Sequence, residues 1–218
     1  TVVFKRIARI PTDGIPPPLF YMAGILAWGY FADCLTKTST TFSANSNIFG
    51  KVYFPRLIVP ISTVIGNLLT FGVQFLLFMG FYLFYWLQEG SKIAPSFRVI
   101  VLPVLIVQMA MLGIGVGCLV SSLTTRYRDL SMLVGFGVQL WMYASCIAFP
   151  LSHVPKEWRW ALVLNPMVPI VESFRFAFLG RGVVEIWQLA VGGGVSLVIF
   201  IAGIVVFNRV ERTFADTI

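Results

Sequence analysis

Five apolar runs, each long enough to cross a lipid bilayer, constrain this chain more than any other feature. They lie at about 19–40, 60–87, 99–123, 131–149 and 188–207; a hydrocarbon core takes roughly 20 apolar residues in helical form. Only 11% of residues are charged and the mean hydropathy is +0.87, whereas charged residues make up about 25% of an ordinary soluble domain. The solvent of this chain is lipid. An unpaired backbone amide is costly in hydrocarbon, so a spanning segment must be a helix or a strand of a closed barrel. The runs are continuous rather than short and alternating, which selects helices. The expected fold class is therefore an all-α integral membrane protein, a polytopic helical bundle.

The chain opens TVVFKR, with neither an initiating Met nor a signal-peptide pattern and only the stub of an apolar segment before Lys5. It reads as lacking its beginning. A preceding helix ending near Phe4 would make six spans with both chain ends on one side, and six are expected in the intact protein. Residues 1–218 form one domain, without a visible internal repeat. Cys34, Cys118 and Cys146 all lie inside apolar runs and are far apart, a pattern of small packing residues rather than of a disulfide framework or metal site. The net charge of +7 is scattered over short loops, which suits anionic lipid headgroups better than nucleic acid.

The loops do not settle orientation by charge. With the C-terminus cytoplasmic, that side holds Lys51, Arg56, Arg126, Arg128, Arg209 and Arg212. The other side holds Lys5, Arg6, Arg9, Lys92, Arg98, Lys156, Arg159, Arg175 and Arg181, so the positive-inside bias alone points to the opposite topology.

Within the runs, several patterns stand out. IPTDGIPPP at 10–18 is an extended turn, since proline fixes its own backbone and restrains its predecessor. Asp33 and Lys37 can pair at helical spacing, either at the membrane boundary or in a transport path. Thr63, Asn67, Thr70 and Gln74 fall on one helical stripe that Phe78, Tyr82 and Tyr85 continue. Such a stripe must face protein or water, by hydrogen bonding between helices or by lining a solute pathway. Gly113, Gly117 and Ser121 make a small-residue face for close backbone approach, within the bundle or to a second copy. Pro103 is expected to bend its helix near the start, and Gly192, Gly193 and Gly194 to mark another close contact. Residues about 150–187 have apolar bursts too short to cross, broken by Pro150, Pro155, Pro166 and Pro169. They predict two short interfacial or re-entrant helices, with Glu172 and Arg175 paired inside one of them.

Motifs for enzyme chemistry are missing: the sequence has no G-x-x-x-x-G-K-[ST] phosphate loop, no H-E-x-x-H and no G-x-S-x-G. His153 stands alone in a Pro-flanked loop. No catalytic role, metal or cofactor is expected in the chain itself. A transporter without a nucleotide site draws on an ion gradient or on a separate ATPase. Ion-coupled carriers usually place carboxylates at mid-bilayer and often carry inverted repeats, and neither pattern is clear here. The charged, Pro-punctuated segment at about 45–60 instead suits docking to a soluble motor.

That segment carries N-x-x-I-F-x-K-V-x-F-P-R-x-x-x-P, supplied by Asn45, Ile48, Phe49, Lys51, Val52, Phe54, Pro55, Arg56 and Pro60. It resembles the first cytoplasmic loop of type-2 ABC exporter permeases, and is most similar to those exporting polysaccharides. Arg126 to Leu130 (RYRDL) matches their short F-R-D-like turn, with Tyr127 where Phe is commoner. Val154 and Pro155 precede a Trp-rich helix, and Asn165 to Met167 (NPM) leads to Phe174 and Arg175, so the resemblance spans nearly the whole chain in order.

The resemblance implies a homodimeric permease in a bacterial plasma (inner) membrane, bound to a separate ABC ATPase subunit that carries ATP and Mg. Motor coupling would fall to Asn47, Lys51, Phe54, Pro55, Arg56, Arg126, Arg128 and Asp129. An outer gate would comprise Pro155, Asn165, Pro166, Glu172 and Arg175. The cargo implied is a lipid-linked glycan such as O-antigen, capsule or teichoic acid. Tyr82, Tyr85, Trp141 and Tyr143 combine apolar faces with polar edges that suit sliding sugar rings, though such rings also mark bilayer interfaces. With Asn67 and Gln74 they are the expected substrate path. The alternatives are a permease for drugs, haem or small lipids, and a non-transporting assembly subunit, against which the stripe from Thr63 to Gln74 argues.

Overall fold

The computed structural model describes residues 14–44, 57–89, 97–127, 129–180, 182 and 185–215, and its regular structure is helical. The helices are α1 (Pro17–Ser39), α2 (Thr41–Ala44), α3 (Ile58–Glu89), α4 (Leu102–Arg126), α5 (Leu130–Tyr143), α6 (Lys156–Val163), α7 (Met167–Leu179) and α8 (Ile186–Ala215). Four of them, α1, α3, α4 and α8, are long and apolar enough to cross a membrane alone.

Proline sets two of the starts. Pro17 occupies the first position of α1, where a missing N–H costs nothing because no helical partner exists for it. Pro103 plays the same part at the beginning of α4, after a 3₁₀ turn at Phe97–Val101. The bend expected at Pro103 is therefore a helix start. At the other end of α7, Gly180 takes a left-handed conformation (φ 66°) and its N–H closes on the Phe176 carbonyl at 3.1 Å, the usual role of glycine after a last turn.

The centre of the bundle is α1, packed against α3, α4 and α7, while α8 lies on α4. Leu19, Phe20, Ala23, Phe31 and Cys34 of α1 are buried. The outer surface is itself apolar: Leu69, Val73 and Leu76 of α3 and Val198 of α8 point outward, as side chains do when the surroundings are hydrocarbon.

Glycine governs how closely these helices approach. A Cβ added to Gly113 would lie 2.7 Å from the Cβ of Cys34, and one at Gly117 only 2.5 Å from that of Thr38. The small face of α4 therefore meets α1 of the same chain, and Ser121 is buried with it. On the far side of α4, a Cβ at Gly115 would fall 2.7 Å from Cα of Phe200, and one at Gly203 would collide with the Gly115 carbonyl. Of the three consecutive glycines of α8, Gly192 alone is in a close contact, 3.1 Å from Pro169 Cγ; Gly193 and Gly194 have open space. Lipid tails are as apolar as the helices, so close van der Waals approach is what holds them together.

The run expected to span over 131–149 is helical only over Leu130–Tyr143. That is about 21 Å at a 1.5 Å rise, short of the roughly 30 Å of a hydrocarbon core. None of its residues is buried. The chain then turns through 144–150, and α6 and α7 follow as a pair bent by 96°; these are the two short helices expected between about 150 and 187.

Replacing Gly203 with Leu should push α8 off α4 and cost about 1–3 kcal/mol, the scale of overpacking a tight contact. Gly193→Ala, with open space around it, should leave stability within about 1 kcal/mol of the parent or raise it slightly. Unfolding in detergent, followed by circular dichroism, separates the two; equal losses would contradict the close packing of α8 on α4 at Gly203.

Candidate functional site

Two of the residues expected to meet a motor, Arg126 and Asp129, are among the described residues. Asn47, Lys51, Phe54, Pro55, Arg56 and Arg128 lie outside the described residues. Arg126 closes α4, and Asp129, exposed, directly precedes α5, where Met132 N–H reaches its carbonyl at 3.3 Å. The segment at 45–56 joins α2 to α3, and α2 packs on α4 while Phe42 stacks on Phe207 of α8 at 4.5 Å. The end of α4 and the end of α1 thus emerge together.

Along α3, Asn67 of the polar stripe meets α1. Lys37 donates to Oδ1 of Asn67 at 2.6 Å, and Nδ2 of Asn67 reaches Sγ of Cys34 at 3.6 Å. The pairing expected between Asp33 and Lys37 is replaced by this contact across the helices. Thr63 spends its hydroxyl on the Val59 carbonyl one turn back, at 2.8 Å. Thr70 and Gln74 are exposed, with the Gln74 amide beside Gly29 of α1. Tyr82 is buried in an aromatic cluster in which Phe78 meets Phe178 edge-on at 5.5 Å and Phe178 lies 5.0 Å from Phe174. Tyr85 is half-buried against Phe84. Of the expected path residues, Asn67 and Tyr82 are thus packed inside the subunit, while Gln74 and Tyr143 face outward. Trp141 is half-buried, its ring edge-on to Phe31 at 5.1 Å.

The most developed polar construction lies where α5 ends and α6 and α7 begin. The turn after α5 places Cys146 in the left-handed region (φ 54°), which costs a side-chain-bearing residue on the order of 1–3 kcal/mol. Had the helix continued, the carbonyls of Cys146 and Ile147 would have accepted from residues 150 and 151. Pro150 has no N–H to give, and the Leu151 N–H goes to Oε1 of Glu172 at 3.3 Å. Arg175 supplies the missing donors: Nη1 to the Cys146 carbonyl at 2.9 Å and Nη2 to that of Ile147 at 2.7 Å. Nη1 also lies 3.1 Å from Oε1 of Glu172. Glu172 and Arg175 are 2% and 1% exposed, so the pair carries its charges into the interior with hydrogen bonds on both partners, the condition for tolerating them there.

From the other side, α1 closes over the guanidinium. Cζ of Arg175 stands 3.8 Å from the ring centroid of Phe20, a cation–π arrangement. A Cβ on Gly24 would fall 2.7 Å from Nη2 and 3.2 Å from the Ile147 side chain, so only glycine leaves room for the group.

Asn165 pins the same turn from the bend between α6 and α7. Its Oδ1 accepts from Nε1 of Trp141 at 3.0 Å and from the Met167 N–H at 3.1 Å. Its Nδ2 donates to the Ala144 carbonyl at 3.2 Å and to Oγ of Ser145 at 3.0 Å. Pro166 follows it, buried. Pro155, exposed, precedes α6, whose Arg159 turns back to the carbonyls of Val154 and Ser152 at 2.8 and 2.7 Å. Arg159 and Arg175, counted among the basic residues opposite the C-terminus, are thus committed to protein groups. Phe20, Gly24 and the Cys146 turn carry no mark in the sequence: each is an ordinary residue of an apolar run until the fold sets it beside Arg175.

Comparison with known proteins adds the family context. A family model described as ABC-2 type transporter matches residues 2–179. The chain is 25% identical over 214 residues to an O-antigen export system permease protein, RfbA, of Klebsiella pneumoniae, covering 98% of this chain and 80% of that protein. RfbA of Myxococcus xanthus is 25% identical over 205 residues, 92% of this chain and 76% of its own length. The polysialic acid transport protein KpsM of Escherichia coli is 24% identical over 214 residues, covering 96% and 80%.

Asn165→Ala removes four hydrogen bonds at the bend and should destabilise the fold by about 1–3 kcal/mol, whereas Trp141→Phe, which removes one, should cost about 1 kcal/mol. Thermal unfolding of the two variants in the same detergent checks the order; a larger loss for Trp141→Phe would contradict the assignment of Asn165 as the pin.

Proposed function

The chain belongs to the ABC-2 type transporter family, and from that premise we propose that it is the membrane permease of an exporter for lipid-linked polysaccharide in a bacterial inner membrane. The observation that carries the reading is the match along almost the whole chain to permeases named for O-antigen export and polysialic acid transport. The chain has no phosphate-binding loop of its own, so energy comes from a separate ABC ATPase that binds ATP and Mg.

In this reading two permease copies form the path, and the segment at 45–56 with the RYRDL turn docks the motors. Phe54 is the apolar anchor, with Lys51 and Arg56 as its polar rim, and Asn47, Pro55, Arg126, Arg128 and Asp129 complete the contact. Movement of the motors passes into α1 and α3, and into α4 and α5, because these helices begin or end at the docking side. At the far end α6, α7 and the turn after α5 are the gate, built on Pro155, Asn165, Pro166, Glu172 and Arg175. Gln74, Tyr85, Trp141 and Tyr143 are the path residues left accessible or partly accessible in the single subunit; Asn67 and Tyr82 reach the cargo only when α1 and α3 shift.

The deciding experiment reconstitutes the full-length permease with its ATPase, with and without lipid-linked glycan. The expected result is ATP hydrolysis stimulated by the glycan. Hydrolysis indifferent to glycan would shift the cargo to drugs, haem or small lipids, and a permease that binds no ATPase would be an assembly subunit. Reversing two rim charges with Lys51→Glu and Arg56→Glu should cut copurification of the ATPase by about tenfold, since two lost charged contacts amount to about 1.4 kcal/mol or more. Undiminished copurification would remove the docking assignment.

A further inference from the structure

We infer that Arg175 is a positioning residue whose guanidinium holds the turn at Cys146 shut, and that release of this turn is the opening step of the export path; the second half rests on the reading in the preceding subsection.

The contacts on the two sides of the guanidinium differ in kind. Toward the turn and α7 they are directional: the carbonyls of Cys146 and Ile147 and the carboxylate of Glu172 are each bonded to it, and Glu172 in turn takes the Leu151 N–H. Toward α1 there is a ring face at Phe20 and the bare backbone of Gly24. Directional bonds in a low-dielectric interior resist distortion, whereas a ring face and a glycine surface can part without breaking a hydrogen bond. The α1 side therefore parts first, and once Phe20 and Gly24 no longer confine the guanidinium it is free to leave the two carbonyls.

The turn itself stores the tendency to move. A left-handed cysteine persists only while its surroundings over-determine it, and here Arg175, backed by Glu172, is what does so. Nothing in the local chain would restore the shape, because Pro150 cannot donate to the Cys146 carbonyl. Nε of Arg175 is buried and has no hydrogen-bond partner among the described residues, so the catch is not saturated where it sits. Asn165 holds the start of the turn at Ala144 and Ser145, whereas the strained residue itself depends on Arg175, which makes it a two-state element. Once the guanidinium withdraws, Cys146 relaxes to negative φ and the chain between α5 and α6 changes direction. Because Asn165 ties Trp141 and Ser145 to the bend before α7, that change is delivered to both α5 and α6.

The chain's own thiols report on this. Cys34, Cys118 and Cys146 are its three cysteines, and all are buried. Cys34 and Cys118 lie in the packing of α1 and α4, whereas Cys146 is the turn. In the full-length permease without nucleotide, a small membrane-permeant maleimide with site-by-site mass spectrometry should find all three slow to react. Arg175→Met should accelerate Cys146 about tenfold or more while Cys34 and Cys118 stay protected, the mark of local rather than global opening. Gly24→Ala, which leaves every hydrogen-bonding group in place and crowds Nη2 and the Ile147 side chain, should do the same to a smaller degree. Arg175→Lys, with one ammonium in place of a fork, should not restore protection. If Cys146 stays as slow in Arg175→Met as in the parent, the clamp is overturned. If all three thiols open together in that variant, Gly24→Ala decides: selective exposure of Cys146 upholds the clamp and none overturns it. With the ATPase bound and hydrolysing, addition of lipid-linked glycan should raise Cys146 labelling severalfold. Glycan-stimulated hydrolysis with unchanged labelling overturns the opening step and leaves the clamp standing; hydrolysis without stimulation overturns the export reading instead.

Discussion

A backbone carbonyl withdrawn from water must be answered from within the chain, and the turn after α5 meets that demand with a charge. Pro150 removes one helical donor and Glu172 takes another, so two consecutive carbonyls are left for the guanidinium of Arg175. A buried guanidinium is costly, and it is tolerated because Glu172 neutralises it and its two outer nitrogens are bonded. The direction of the chain between α5 and α6 follows from this, as does the seat at Gly24 and Phe20 on α1. The shape of this end is thereby set by one ion pair and its backbone partners.

The remainder of the bundle is organised by absence of side chains. Gly113 and Gly117 admit α1 on one side of α4, and Gly115 with Gly203 admits α8 on the other. This lets α1 sit at the centre, and part of the polarity of its second half is answered there: Lys37 finds Asn67 on α3, and Ser39 gives its hydroxyl to the Thr36 carbonyl at 2.7 Å. The helix α5 is the exception, with no buried residue: Val134, Val138 and Trp141 pack against the core only partly buried. In the exporter reading it is the element that links the motor side, at Asp129, to the Arg175 clamp.

Much of this was legible in the residues. The spans of α1, α3, α4 and α8 follow from run length, since hydrocarbon demands it, and the Pro-broken segment at 150–187 correctly announced short helices. The ion pair of Glu172 and Arg175 followed from helical spacing. The run at 131–149 misled because apolar character continues through Phe149 while the helix stops at Tyr143; hydropathy does not register a left-handed Cys146. Of the stripe from Thr63 to Gln74 only Asn67 is buried while Thr70 and Gln74 are exposed, and its period could not say that Lys37 would take Asn67. Three glycines in a row at 192–194 drew attention, while the tightest contact belongs to Gly203, which stands alone.

By itself, then, the sequence determined that this is a multi-pass helical membrane protein, where its long helices run, and which family motifs it carries, because lipid imposes its rules on each segment separately and those rules are written in composition. Only the tertiary structure decided which small residues touch, that Gly24 and Phe20 belong with Arg175, and that the turn at Cys146 depends on that arginine. These facts join residues remote in the chain, and whether a carbonyl is orphaned or a glycine is needed is settled by what the folded neighbours bring to it.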